Sequence, residues 1–139
     1  QSDVVALRPR AVVILAGTND IARNNGPIDE ERIADNVRSM VELARVHGIR
    51  VYLCSVLPVG HYNWRPEVTD APDRIDRLNR MLREYALRNG CEWVDFHPGL
   101  ADADRALDAR YTRDGVHPTA EGYDAMEAIL RPYLKRYLR

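Results

Sequence analysis

The sequence predicts an α/β fold with three layers, in which a parallel, doubly wound sheet lies between helices. Three short apolar segments, at residues 10–16, 50–56 and 92–96, alternate with longer amphipathic segments. The apolar segments lack alternating polar residues, which indicates strands that are buried on both faces. Residues 1–139 are enough for one domain with a proper core, and a single domain is expected.

Two helices are predicted between these strands. The first covers residues 30–47, where Asp29 is suited to cap the amino end and Gly48 to stop the helix. The second covers residues 72–89 and is expected to stop at Gly90. Each strand–helix–strand crossover should be right-handed, which brings the carboxyl ends of the strands to one edge of the sheet, where ligands collect in such folds.

A third helix is predicted after Thr119, and Pro132 is expected to kink or break it. Its expected apolar positions are Tyr123, Met126, Leu130, Tyr133, Leu134 and Tyr137.

The composition narrows the classes of partner. The chain has 139 residues, of which 45% are hydrophobic and 29% charged, and its net charge is −1. Because there is no basic excess, nucleic acid is not expected as a partner. No apolar run approaches the ~20 residues that a membrane span requires.

The first candidate motif is Gly-Thr-Asn-Asp at residues 17–20, directly after the first predicted strand. Gly17 permits a sharp turn at the strand end and is expected to help form the binding site. The side-chain amide of Asn19 could then donate a hydrogen bond to an oxyanion, an interaction that contributes ~3 kcal/mol to a transition state. The alternative is that Asn19 or Asp20 only closes the turn.

The second candidate motif is Asp-Gly-Val-His at residues 114–117, in a loop before the last helix. A tight turn at Gly115 can bring the Asp114 carboxylate to one ring nitrogen of His117. The other ring nitrogen is then free to act as a base. The alternative is a simple capped turn with a solvated histidine.

The connection between the second strand and the second helix, residues 57–71, is long for such a loop. It leaves the same edge of the sheet and carries His61, Tyr62 and Trp64, which are predicted to line a substrate pocket. The alternative is a surface loop that packs on itself.

Together the two motifs resemble those of the SGNH (GDSL-type) hydrolase family, whose fold is flavodoxin-like. The Leu-Pro pair at residues 57–58 and the Glu-Gly-Tyr segment at residues 121–123 are similar as well. The resemblance implies hydrolysis of carboxylic esters, often acetyl or other short acyl groups on sugars, lipids or small molecules. It implies Asn19 as the oxyanion donor, Asp114 and His117 as the acid and base of a triad, and no metal or organic cofactor.

The resemblance also implies a nucleophilic serine upstream of the first motif, in a segment that follows a first strand, and this first strand pairs beside residues 10–16. The chain's serines are Ser2, Ser39 and Ser55, and none occupies that place. We therefore expect the amino-terminal strands to be missing from this chain, the nucleophile to come from upstream sequence, and this segment alone to be nearly inactive. Self-association through the unpaired edge of strand 10–16 is also expected.

Two other functions remain open from the sequence. The first is a non-catalytic ligand-binding domain on the same scaffold, with a pocket lined by His61, Tyr62 and Trp64. The second is a phosphate- or nucleotide-binding module, which would need a glycine-rich turn that is not apparent after the first strand.

Overall fold

A parallel three-stranded sheet forms the centre of the protein, whose computed structural model describes residues 2–135. The strand order is β1-β2-β3, and Ala11 pairs with Arg50 while Tyr52 pairs with Glu92. The predicted parallel α/β architecture is thus confirmed. The strands are β1 (Ala11–Ile14), β2 (Arg50–Cys54) and β3 (Glu92–Val94).

The strands are shorter than the apolar segments that predicted them. Just after β2, the side chain of Asn79 forms hydrogen bonds with both backbone groups of Val56. Its Oδ1 accepts from the amide at 2.7 Å, and its Nδ2 donates to the carbonyl at 3.1 Å. Val56 therefore stays buried without a neighbouring strand. A run of apolar residues indicates that a segment is buried, and here the buried segment extends beyond the residues that pair in the sheet.

Within the described residues, five α-helices and one 3-10 helix accompany the sheet. Their bounds are Val5–Leu7 for the 3-10 helix, then α1 (Thr18–Ile21), α2 (Glu30–Val46), α3 (Ala71–Arg88), α4 (His97–Leu100) and α5 (Ala120–Lys135). None of the helices among residues 2–135 has the length and apolar character that a bilayer crossing requires.

The helices cover both faces of the sheet and create two apolar cores. Helices α2 and α3 pack on one face, where Val41 and Leu78 belong to the same buried apolar cluster as Val51 and Leu53 of β2. Helices α4 and α5 pack on the other face, against Tyr52 and its neighbours. This arrangement is the three-layer structure that the sequence predicts.

The last helix continues through Pro132, so the expected break is wrong. Its apolar side chains pack on the second core, and that packing holds the last turn despite the lost backbone donor. Tyr137, which was expected on the same face, lies outside the described residues. The packed residues are Met126, Ile129, Leu130, Tyr133 and Leu134.

The outer edge of the sheet is formed by β1, whose neighbour within the described residues is β2 alone. Val13 and Leu15 are 41% and 40% exposed on this side. An apolar groove of about 220 Å³ runs along the same strand, where Val12 and Ile14 face Met40 of α2. An edge strand with exposed apolar neighbours is suited to further pairing.

Candidate active site

The first motif forms a sharp turn from β1 into the short helix α1. Gly17 has φ +119°, a left-handed conformation that glycine adopts without strain. A Cβ at this position would lie 3.1 Å from both Val56 and Leu78, so the turn sits tightly on the core. Asn19 is thereby fixed on the first turn of α1, at the carboxyl edge of the sheet.

The second motif forms the predicted pair. His117 Nδ1 lies 2.7 Å from Asp114 Oδ2. The other carboxylate oxygen of Asp114 accepts backbone hydrogen bonds from His117 at 2.8 Å and from Val116 at 2.9 Å. The carboxylate therefore holds both the ring and the backbone of the turn, and the Nε2 atom of the imidazole is left for other chemistry.

The hydroxyl of Thr112 ties the same turn from the inside. Its oxygen accepts from the amides of Gly115 at 3.0 Å and Asp114 at 3.3 Å. The same hydroxyl donates to the carbonyl of His117 at 2.9 Å. Gly115 takes φ +81°, which the turn needs at that point. Thr112 was not predicted as a site residue from the sequence, although a threonine two residues before an Asp-Gly pair is a signal for such a turn.

The hydrogen bonds around Asp114 also set its charge. Hydrogen bonds lower the pKa of Asp114 well below its usual range. The largest effect comes from the His117 ring, and smaller effects come from the backbone amides of His117 and Val116. The carboxylate is therefore ionised at neutral pH. A carboxylate beside Nδ1 fixes the orientation of the imidazole and stabilises the positive charge that forms when Nε2 accepts a proton.

Trp64 connects the two motifs. Its ring stacks on the imidazole of His117, with ring centroids 6.3 Å apart and planes 24° apart. Its indole N–H donates to Asn24 Oδ1 at 3.0 Å, and Asn24 Nδ2 donates to Asn19 Oδ1 at 3.1 Å. The side chains of Asn19 and His117 are thus joined through two residues on one side of the molecule.

Tyr62 differs from the expectation that it offers a surface to a ligand. Only 1% of the residue is exposed, and its ring packs edge-on against Trp64 at 5.4 Å between centroids. Its hydroxyl donates to the carbonyl of Thr18 at 3.3 Å, and burial raises the pKa of the phenol. Tyr62 therefore supports Trp64 and α1 from below, whereas Trp64 remains 44% exposed.

His61 is exposed, and no hydrogen bond or ring contact joins its side chain to the site within residues 2–135. The next residues of the loop do reach the site, because Asn63 Nδ2 donates to the carbonyl of Asp114 at 3.4 Å. The loop at residues 57–71 therefore packs on both motifs rather than only on itself.

None of the three serines is placed to attack a substrate beside His117. Ser55 is fully buried, and its hydroxyl oxygen accepts from the amides of Phe96 at 2.9 Å and His97 at 3.1 Å. Ser39 donates to a carbonyl within α2, and Ser2 donates to Asp3. Each serine thus has a local structural contact instead.

Arg74 fixes α1 from beneath. Its guanidinium is almost fully buried and donates to the carbonyls of Ile21 at 3.2 Å and Ile28 at 2.5 Å, and to Glu30 Oε1 at 3.0 Å. The Ile21 carbonyl is at the end of α1, where no helical partner remains. The helix that carries Asn19 is therefore held by a charged side chain from α3.

Residues 2–135 contain no group of three or more His, Cys, Asp or Glu side chains placed to hold a metal ion.

Comparison with known proteins gives a consistent result. The sequence model of the GDSL-like Lipase/Acylhydrolase family matches residues 1–125. The crystal structure of a GDSL-like lipase from Bacteroides thetaiotaomicron superposes with a TM-score of 0.93 at 44% identity, covering 98% of this chain and 67% of that one.

Two curated relatives are named as esterases. An acetylxylan esterase from Xylanibacter ruminicola is 24% identical over 96% of this chain and 30% of its own length. The isoamyl acetate-hydrolyzing esterase 1 homolog of Homo sapiens is 29% identical over 92% of this chain and 56% of its own length. The chain therefore spans between about a third and just over half of these relatives.

Proposed function

The chain belongs to the GDSL-like lipase/acylhydrolase family, and from that premise we propose that the whole protein hydrolyses carboxylic esters by Ser-His-Asp acyl transfer. His117 is the general base, Asp114 orients its ring and stabilises the imidazolium that forms, and Asn19 donates to the oxyanion. The observation that carries this proposal is the 2.7 Å contact between His117 Nδ1 and Asp114. Trp64 stacks on the same ring and is connected to Asn19 through Asn24.

The nucleophile is proposed to be a serine in sequence upstream of this chain. Two observations support this. The three serines present are held in local contacts away from His117, and this chain covers 67% of the similar lipase structure. The segment that carries the serine would extend the sheet beyond β1, where Val13 and Leu15 are exposed.

The reaction follows from these roles. His117 Nε2 accepts the proton of the serine hydroxyl while the serine oxygen forms a bond to the acyl carbon. The carbonyl oxygen becomes an oxyanion, to which Asn19 Nδ2 donates. When the intermediate collapses, the bond to the alcohol breaks and His117 returns the proton to the leaving oxygen. Water then repeats these steps on the acyl-enzyme and releases the acid.

The proposed substrates are acetate esters, with a carbohydrate, lipid or small-molecule alcohol. The support comes from the relatives, since one is named for acetylxylan and another for isoamyl acetate.

The test is the rate of p-nitrophenyl acetate hydrolysis by the full-length protein. We expect His117→Ala to lower kcat by a factor of about 10⁴ or more, because triad members act as a unit. His47→Ala is the matched control, since His47 caps the carboxyl end of α2 and its ring contacts the carbonyl of Leu43 in the same helix. Unchanged turnover in His117→Ala would contradict the proposal. The alternative, a ligand-binding domain without catalysis, predicts no turnover in any form.

We further propose that, in this chain by itself, the open edge of β1 pairs with a second copy. The exposed apolar residues beside that edge, Val13 and Leu15, support this. Size-exclusion chromatography with light scattering tests it. A dimer that dissociates in Val13→Lys is expected, and a stable monomer of the unmodified chain would refute self-association.

A further inference from the structure

Asn24 lies in the loop after α1, and both ends of its side-chain amide are engaged. Its Oδ1 accepts from the indole N–H of Trp64 at 3.0 Å, and its Nδ2 donates to Asn19 Oδ1 at 3.1 Å. An indole N–H can only donate a hydrogen bond, so the atom of Asn24 that it meets must be the oxygen. The orientation of the Asn24 amide is thereby determined by Trp64.

The same logic determines the orientation of Asn19. Because the NH₂ group of Asn24 faces Asn19, the atom of Asn19 that meets it must be the oxygen. The NH₂ group of Asn19 is then at the other end of the carboxamide, where it makes no hydrogen bond within residues 2–135 and can donate to a ligand. An oxyanion needs a donor, and a reversed amide would present a repelling oxygen instead.

We propose that Asn24 is a positioning residue, which holds the carboxamide of Asn19 in the orientation that stabilises an oxyanion. This inference rests on the proposed function, in which Asn19 is the donor. Asn24 acts through Asn19 and needs no contact with the substrate.

Trp64 gives the arrangement a second role. The same indole that orients Asn24 stacks on the imidazole of His117. The oxyanion donor and the base are therefore held in one continuous series of contacts, Asn19–Asn24–Trp64–His117–Asp114. A displacement of Trp64 would disturb both ends of the site at once.

Substitutions at Asn24 separate this role from a general structural one. Asn24→Ala removes both hydrogen bonds and leaves Asn19 free to turn, so kcat should fall about tenfold. Asn24→Asp keeps an acceptor for Trp64 but places a carboxylate oxygen against Asn19. That oxygen attracts the NH₂ group of Asn19 away from the substrate, so kcat should fall about 100-fold, the lower range for loss of an oxyanion donor. KM should change little in either variant.

Asn25→Asp is the matched control. Asn25 is the next residue, it is exposed, and within the described part of the chain its side chain makes no hydrogen bond. Asn25→Asp therefore introduces the same negative charge as Asn24→Asp, one residue further along the loop. We expect its kcat to stay within about threefold of the unmodified protein, so any larger loss in Asn24→Asp comes from the amide and not from charge.

The experiment measures kcat and KM of full-length protein for these variants, for Asn19→Ala and for His117→Ala. A lower kcat for Asn24→Asp than for Asn24→Ala, with KM unchanged in both, supports the inference. If Asn24→Asp matches Asn25→Asp while Asn19→Ala loses activity, the positioning role is refuted and the proposed function stands. If Asn19→Ala retains full activity, the proposed oxyanion donor itself is refuted.

A second readout does not depend on turnover. In ¹H–¹⁵N spectra, the indole N–H resonance of Trp64 should shift and exchange faster in Asn24→Ala, and stay close to its original behaviour in Asn24→Asp. The indole of Trp93, which lies in β3, is the internal reference. A Trp64 resonance that is the same in Asn24→Ala and in unmodified protein would overturn the inference.

Discussion

Arg74 offers a quantitative test of how the site is supported. Replacing it with methionine fills much of the same space but removes every donor. The carbonyls of Ile21 and Ile28 lose their partner, and Glu30 loses one of its two arginines. An unsatisfied carbonyl costs about 1 kcal/mol here and a hydrogen bond to a charged group about 2 kcal/mol. Arg74→Met should therefore lower the free energy of unfolding by about 4 kcal/mol.

Arg77 provides the control, because it contacts the same carboxylate from the surface. Its nitrogen lies 2.7 Å from Glu30 Oε1, but its side chain is 51% exposed, against 5% for Arg74. Exposed ion pairs contribute about 0–1 kcal/mol. Arg77→Met should thus destabilise the protein much less than Arg74→Met, although the distance from Arg77 to Glu30 is the shorter of the two.

The assay is urea unfolding of each variant, followed by far-ultraviolet circular dichroism at neutral pH. Arg74→Met should unfold at a clearly lower urea concentration than Arg77→Met, with similar slopes for the two variants. Equal stabilities for Arg74→Met and Arg77→Met would refute the reasoning, since burial would then not decide what each arginine contributes.

Two further predictions concern Ser55 and Asp114. Ser55→Ala should lower the unfolding free energy by about 1–3 kcal/mol, because the Phe96 amide loses its acceptor and the His97 amide keeps only Asp95 Oδ1. The substitution should leave kcat of the full-length protein unchanged, and a loss of turnover at equal stability would speak against a structural role for Ser55. Hydrogen bonds lower the pKa of Asp114 in the folded protein. The hydrogen bonds of its carboxylate therefore contribute fully to stability above the pKa of an aspartate in the unfolded chain, about 3.9. That contribution is lost as the pH falls below this value toward the pKa of Asp114 in the folded protein. The stability difference between the unmodified protein and Asp114→Asn should therefore be largest above pH 4 and shrink in acid, and a difference that grows in acid would contradict this.

The parts of the structure that follow from local sequence were predictable. Helices α2 and α3 end within a residue or two of the prediction because Gly48 and Gly90 take positive φ values of 70° and 65°. The pairing of Asp114 with His117 was equally local, since a three-residue turn brings one to the other.

The parts that depend on distant contacts were not predictable from this one sequence. Nothing near Asn24 in the chain indicates its bond to Trp64, 40 residues away. The burial of Tyr62 likewise results from how the long loop folds onto α1. An aromatic residue in a loop is compatible with either a ligand surface or a supporting contact, and only the packing decides between them.

The central claim is that the Asn19 carboxamide and the His117 imidazole act on one substrate carbonyl. The most direct test is a crystal structure of the full-length protein after reaction with a phosphonate ester, which leaves a stable mimic of the tetrahedral intermediate on the nucleophile. We predict a phosphonyl oxygen within about 2.7–3.1 Å of Asn19 Nδ2, with His117 Nε2 beside the serine oxygen. An adduct that forms with Asn19 or His117 turned away from the phosphorus would contradict the account.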